Sequence, residues 1–344
     1  MDDAQIELQF DGIRYGWWQR AEVRASVDDL CASLNLSITA PGTGNNLGIT
    51  ANTVIKVLIG NQLVTTVRLD KLSRSVGRDS HDISIEGRSI ARELIDTQLS
   101  KTLSGLTLGE IAKRLCDELK VPLKIAAKTK TVEEFAMQCE NPSNALINAA
   151  RTANLLLYPT TDGGLILAEP TKAAPVAALI YGEHILEYEV VDEYSLRFSE
   201  YCVKGYNSDE DEAISGRVWD RGIKFYRPMH IMADRHGHGL GSCERRAELE
   251  RNRRLARAHR IELTVQGWRY RAEEAWRLWE INTQVRVTIP DEGINDVFLI
   301  GERAFRIDDR GGHMTRLTVM KRDAYAGSGG GSGSGEDDEG DDDV

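Results

Sequence analysis

The chain has 344 residues, 41% of them hydrophobic, which gives room for two or three domains that each bury a core. Its formal net charge is −11, but the seven acidic side chains between Glu336 and Val344 leave only −4 for the remainder, so the folded surface is not a general nucleic-acid coat, though a local basic patch stays open. No apolar run approaches bilayer length, no basic-then-apolar leader follows Met1-Asp2-Asp3-Ala4, and the five scattered cysteines (Cys31, Cys116, Cys139, Cys202, Cys243) form no Cys-x-x-Cys pair, so export, disulfides and redox chemistry are not expected.

The chain opens as hairpins. Ile6 to Phe10 alternates apolar and polar residues, Asp11-Gly12 is a strong turn pair, and Ile13 to Trp18 resumes in extended form. Trp17 and Trp18 are adjacent in that run, so their side chains point to opposite faces, and one is predicted to meet another domain, another subunit or an inserted element. Extended runs at 22–27 and 34–39 lead into the loop 41–46. Its glycines precede no Lys-Ser/Thr and no helix, which excludes a phosphate-binding loop. A three-run β unit follows: Val54 to Ile59, Leu63 to Leu69, a turn, then His81 to Gly87.

After Gly87-Arg88-Ser89 a helical pattern places Ile90, Leu94 and Ile95 on one face. Leu106 to Leu119 reads as an amphipathic helix with Thr107 and Glu110 as its capping box. Val121 to Ile125 reads as a short strand, and Asn144 to Leu155 as a second helix entered from Asn141-Pro142-Ser143. A hairpin turning at Asp162-Gly163-Gly164 follows, ending in Leu165-Ile166-Leu167. Extended structure returns at 185–190 and 200–205. Ser242 to Arg260 is helical by composition and carries seven arginines, and Ile261 to Val265 alternates as a strand. Trp268, Trp276 and Trp279 come next, suited to a second core or its rim. The first β unit then recurs: Val285 to Ile289, Val297 to Phe305, and Met314 to Val319. Residues 327–335 are only glycine and serine, a flexible tether, and the acidic end beyond lacks the apolar surface to fold.

Few of these residues form a reactive set. His230, Asp234, His236, His238 and Cys243 are the best metal candidates, but their spacing matches no strong zinc pattern, and no metal or other cofactor is expected. The adjacent carboxylates Asp28-Asp29, Asp209 to Glu212 and Asp308-Asp309 suit solvated loops better than the facing pair a glycosidase needs. No nucleophile elbow is present. The arginine-rich helix is the strongest electrostatic feature. It suits packing on a sheet, inter-subunit ion pairs through the planar guanidinium fork, or contact with passing nucleic acid. A small antiparallel unit built twice, with no reactive residues in either copy, points to a scaffold and not an enzyme.

The order and spacing of several motifs resemble the phage Mu P-type tail proteins, the central baseplate hub. These motifs are Gly87-Arg88-Ser89 with Leu94-Ile95-Asp96, the 106–121 helix, the 145–167 helix and hairpin, Ser199 to Gly205, the arginine-rich helix running into Val265-Gln266-Gly267-Trp268-Arg269, and Leu278 to Asn282. The resemblance covers about residues 5–325, and the Gly/Ser and acidic tail falls outside it. It implies a mixed, β-dominated α+β fold with two similar antiparallel β-barrel-like domains and small α/β elements inserted. The expected division is 1–102 for the first barrel-like domain and 103–177 for the α/β insertion. Residues 178–326 would complete the first barrel and add the arginine-rich helix and the second barrel, and 327–344 would form a disordered tail.

The resemblance further implies a virion protein of a contractile tail that forms a homotrimeric ring. That ring would join a sixfold tail tube to a threefold central spike around the genome path. Its partners would be the spike, the tube and other baseplate proteins, with transient contact to tape-measure protein or DNA and no integral membrane association. Interface or lumen candidates are Trp17, Trp18, Arg88, Arg251, Arg253, Arg254, Arg257 and Trp268. A peptidoglycan- or carbohydrate-binding tail-tip module is the alternative reading, and a wall-degrading enzyme a more distant one.

Overall fold

The computed structural model describes residues 5–16, 18–39, 50, 53–78, 81–207, 212–232, 240–273, 275–308 and 312–325. Trp17, the loop 41–46, Asp234, His236, His238, Asp209 to Asp211, Asp309 and the tail 327–344 lie outside the described residues. The first part holds β1 (Ile6–Phe10), β2 (Ile13–Tyr15), β3 (Arg20–Ser26), β4 (Ser33–Thr39), β5 (Val54–Ile59), β6 (Gln62–Val76) and β7 (His81–Ser89). The middle holds α1 (Glu93–Asp96), β8 (Leu99–Thr107), α2 (Leu108–Glu118), β9 (Leu123–Ile125), β10 (Thr131–Glu140), α3 (Pro142–Thr152), β11 (Leu156–Pro159) and β12 (Leu165–Ala168). The remainder holds β13 (Ala177–Ile180), β14 (Ile185–Asp192), β15 (Glu200–Asn207), β16 (Glu212–Trp219), β17 (Pro228–Met232) and α4 (Leu240–Ala258). It ends with β18 (His259–Gln266), β19 (Arg269–Ala272), β20 (Ala275–Leu278), β21 (Gln284–Ile289), β22 (Ile294–Asp308) and β23 (Gly312–Met320).

The duplication is visible strand by strand. β5, β6 and β7 have 6, 15 and 9 residues, and so do β21, β22 and β23. Each triplet extends into a six-strand unit: β3-β4-β7-β6-β5-β1 in the first, β14-β18-β23-β22-β21-β13 in the second. The units differ at the far end, where β1 runs antiparallel to β5 but β13 runs parallel to β21.

The expected pair of barrels does not form. Both units belong to one 13-stranded sheet, and among the described residues no sheet closes on itself. The reason lies in β3. Closure of the first unit would bring β3 to the distal half of β6, but Ala21 to Ser26 pair instead with Glu302 to Ile307 of β22. The strand edge that would seal one barrel is spent on joining the two units. The core is correspondingly continuous: Leu8, Val23 and Ile55 of the first unit belong to the same buried cluster as Ile261, Val285 and Phe305 of the second. Alternation sets which residues face it, as in β1, where Ile6, Leu8 and Phe10 are buried and Glu7 and Gln9 are half-buried.

The segment between the units builds a second core from Leu94, Ile111, Leu115, Phe135, Leu146 and Leu165 with their neighbours. Here local signals were sufficient. Thr107 Oγ1 accepts from Glu110 N at 3.3 Å and the Glu110 carboxylate accepts from Thr107 N at 2.8 Å, closing the capping box ahead of α2. α3 starts two residues earlier than the apolar pattern indicates because Pro142 occupies its first turn, where a missing N–H costs nothing. Only the last part of the expected 121–125 strand is extended, as β9. A third cluster joins α4, through Cys243 and Ala247, to the β15–β16–β17 sheet, through Tyr201, Val203 and Ile214. No helix among the described residues is long and apolar enough to cross a membrane.

Candidate assembly interface

Both long strands carry a one-residue bulge midway, near the point where the flanking short strand ends. In β22 the pairing with β23 slips between Ile300 and Glu302. In β6 the pairing with β7 slips between Leu69 and Lys71. Gly301 is the extra residue in β22, and a Cβ there would lie 2.5 Å from the Tyr325 hydroxyl, so glycine is needed for the close approach. Asp70 is the extra residue in β6. Its carboxylate accepts from Arg88 Nε at 2.7 Å, Arg88 Nη2 at 3.1 Å and Arg92 Nη1 at 2.5 Å. Arg88 also bonds both Asp96 oxygens, at 3.2 and 2.8 Å.

Partial burial pushes the Asp70 carboxyl up, but the bonds from Arg88 and Arg92 outweigh it and hold the group below its ordinary value. A folded-state value below the unfolded one adds stability that is complete above the unfolded value, about 4, and is lost as pH falls through the lower folded value. Asp70→Asn is therefore expected to lower the melting temperature at neutral pH and to flatten its fall under acid. Melting curves from pH 7 to 2 on both proteins check this, and parallel curves would show that the bulge ion pairs contribute nothing.

Before its bulge β22 pairs with β21, and after it with β3. The joint between the units is therefore the contact of β3 with the distal half of β22. On its outer face Arg24 grips Glu302 through two bonds of 2.6 Å and reaches Asp29 at 2.9 Å, and Arg306 Nε lies 2.5 Å from Glu22. Partly exposed pairs of this kind add little energy singly, but the bidentate geometry specifies register. The Glu302 hydrogen bonds raise the Arg24 guanidinium above its ordinary value despite partial burial. On the inner face Phe305 and Val23 are fully buried and directly opposite. The buried Arg303 guanidinium stacks 4.2 Å from the Phe305 ring and donates to Trp279 O at 3.1 Å. Burial pushes Arg303 down to about 10, still cationic at neutral pH.

The sequence-derived candidates fall in several places. Trp18 is buried in the main core and donates to Ile6 O at 3.0 Å. Trp268 is also buried, donates to Arg306 O at 3.0 Å and stacks on His313. Arg88 holds the β6 bulge. On α4, Arg257 bonds Asp28, Arg254 bonds Glu250 at 2.7 Å and lies over the Phe198 ring, and Arg251 is 3.8 Å from Glu248. Arg253 is buried. Desolvation first, then the nearby Arg151 and Arg257 charges, push it down to about 10. Its Nη2 is 3.4 Å from Arg151 O.

Of the five candidate metal ligands, two lie within the described residues. His230 lies on β17 and buried Cys243 on α4, and no group of three metal-type ligands occurs among the described residues. Asp28 and Asp29 each face an arginine, Arg257 and Arg24, and so do not form a carboxylate pair across a cleft. The residues of the joint itself, Glu22, Arg24, Glu302 and Arg306, were not singled out from sequence. They belong to no motif, and Arg24 and Glu302 are 278 positions apart.

Comparison with known proteins agrees with this architecture. Residues 5–89 match the family described as Mu phage baseplate assembly protein GpP-like, N-terminal, and residues 241–327 match Mu phage baseplate assembly protein GpP, fourth domain. The chain is 26% identical over 342 residues to baseplate hub protein gp44 of Escherichia phage Mu, covering 93% of this chain and 88% of that one. Its fold is similar to the 43 kDa tail protein of prophage MuSo2 from Shewanella oneidensis, with a TM-score of 0.83, 24% identity, and coverage of 94% of this chain and 99% of the other. It is also similar to a tail protein from Neisseria meningitidis MC58, with a TM-score of 0.82, 19% identity, and coverage of 94% and 98%. These likenesses, with a fold made of joined sheet units, define a structural protein of a phage tail baseplate. The chain belongs to the Mu-like phage baseplate hub protein family.

Proposed function

We propose that three copies of this chain form a ring that joins a sixfold tail tube to a threefold central spike and surrounds the genome path. The observation that carries the reading is the duplicated six-strand unit. Three chains with two related units each offer six similar surfaces to identical tube subunits, while the assembly keeps true threefold symmetry for the spike. The spike, the tube and neighbouring baseplate proteins are its partners in this reading, with transient contact to tape-measure protein or DNA. Arg88, Arg251, Arg254 and Arg257 keep partly exposed guanidinium groups and are the proposed interface or lumen residues that remain reachable.

Light scattering of the full chain, alone and mixed with its cognate spike protein, tests the proposal. The expected mass is that of three chains, increased by the spike. One chain's mass in both samples would overturn it.

A further inference from the structure

The joint between β3 and β22 has an unused counterpart in the same chain. Superposing the two units by their bulges makes Asp70 the counterpart of Gly301, and Lys71 to Val76 the counterpart of Glu302 to Ile307. Following the ladders outward through β4 and β18 makes Glu187 to Asp192 of β14 the counterpart of Arg20 to Ala25 of β3. β14 ends the sheet, and beyond Arg68 β6 has β7 as its only strand partner among the described residues. The two halves of a second joint therefore exist in each chain, but seven strand steps apart, roughly 34 Å along the sheet at about 4.8 Å per step. One chain cannot bring them together without closing the sheet.

We infer that β14 of one copy adds to the distal half of β6 in the next copy, antiparallel and in the register of the β3–β22 joint. This rests on the reading of the chain as a ring-forming hub, and it names the surface through which copies meet. Three independent features of the two edges fit it. Residues 71–78 carry Lys71, Arg74 and Arg78 and no acid, whereas 185–193 carry Glu187, Glu189, Asp192 and Glu193 and no base. Four of the six inner positions are apolar, Leu72, Val76, Tyr188 and Val190, and the other two are Arg74 and Asp192. The transferred register sets Val76 opposite Tyr188 and Arg74 opposite Val190, with Leu72 beside them, where the internal joint has Ile307, Phe305 and Arg303. Leu72, Tyr188 and Val190 already pack against the edge of the main core without being buried, and Val76 is 75% exposed. Finally, among the described residues each edge is an open ladder, and an open edge is a site for strand addition. The contact is head-to-tail: each copy offers one acidic and one basic edge, so repetition gives a ring when its rotation closes.

The transferred register places Ser73 directly across from Val191, as Ala304 is across from Arg24. The test is oxidative cross-linking of full-length protein carrying Ser73→Cys and Val191→Cys, with each single variant as control for the native thiols. The expected result is a ladder of covalent multimers from the double variant, at least tenfold above either single variant. Reversing the basic edge with Lys71→Glu and Arg74→Glu should abolish that ladder and the multimeric mass. A multimer of unchanged mass that yields no ladder would overturn the edge pairing and leave the ring reading standing. A single-chain mass at all concentrations, with and without spike protein, would overturn both.

Discussion

Replacing Phe305 with alanine is expected to cost about 3–5 kcal/mol, the range for emptying a large aromatic from a core that relaxes only partly. Phe305 is fully buried in the distal half of β22, opposite Val23 and in the middle of the joint between the units. Its ring also carries the buried Arg303 guanidinium. Removing the ring thus leaves both a cavity and a buried charge that keeps its hydrogen bond to Trp279 O but loses the ring beneath it, and the second effect adds to the first. Phe305→Leu, which keeps much of the volume, should cost far less. Urea titration of the sheet-core transition separates the two variants. Equal midpoints for wild type and alanine would show that the joint does not hold the units together.

Gly216→Ala is the second large effect. Gly216 lies on β16 where α4 crosses it, and a Cβ there would sit 2.1 Å from Glu244 N and 2.3 Å from Cys243 C. Both obstacles are helix backbone, which cannot swing aside as a side chain would. The helix must therefore lift off, taking buried Cys243 and Ala247 away from Tyr201 and Val203. Overpacking usually costs 1–3 kcal/mol, and this case belongs at or above about 3 kcal/mol because the clash is with main chain. Hydrogen exchange is the direct measurement: amides of α4 and β15 should lose protection while those of β4 and β7 keep it. Unchanged protection across α4 would refute the packing described.

Arginine-rich α4 shows how composition and structure divide the work. Its helical character was legible, because nineteen residues free of proline with many good helix formers need no distant partner. Which arginines are reachable was not legible. Arg253 is buried and Arg251 is half-exposed, and the difference arises from the β15–β17 sheet and the middle segment against which the helix packs. β16, β17 and the β8–β10 pair were likewise not read from sequence. β17 and β10 pair across other elements, so no turn beside them announces the partner, and β16 follows β15 directly but with no Asn-Gly or Asp-Gly pair between them.

By itself the sequence determined the repeated run of short, long and intermediate strands, the Asp11-Gly12 hairpin and the capped α2, since periodicity, turn residues and caps act between near neighbours. Only the tertiary structure decided that the repeats fuse into one open sheet. The distal halves of β6 and β22 are related edges, yet among the described residues β3 pairs only with that of β22, where Arg24 meets Glu302, Glu22 meets Arg306 and Val23 faces Phe305. Those contacts span most of the chain, and local propensity is blind to energies that exist only once both strands are in place.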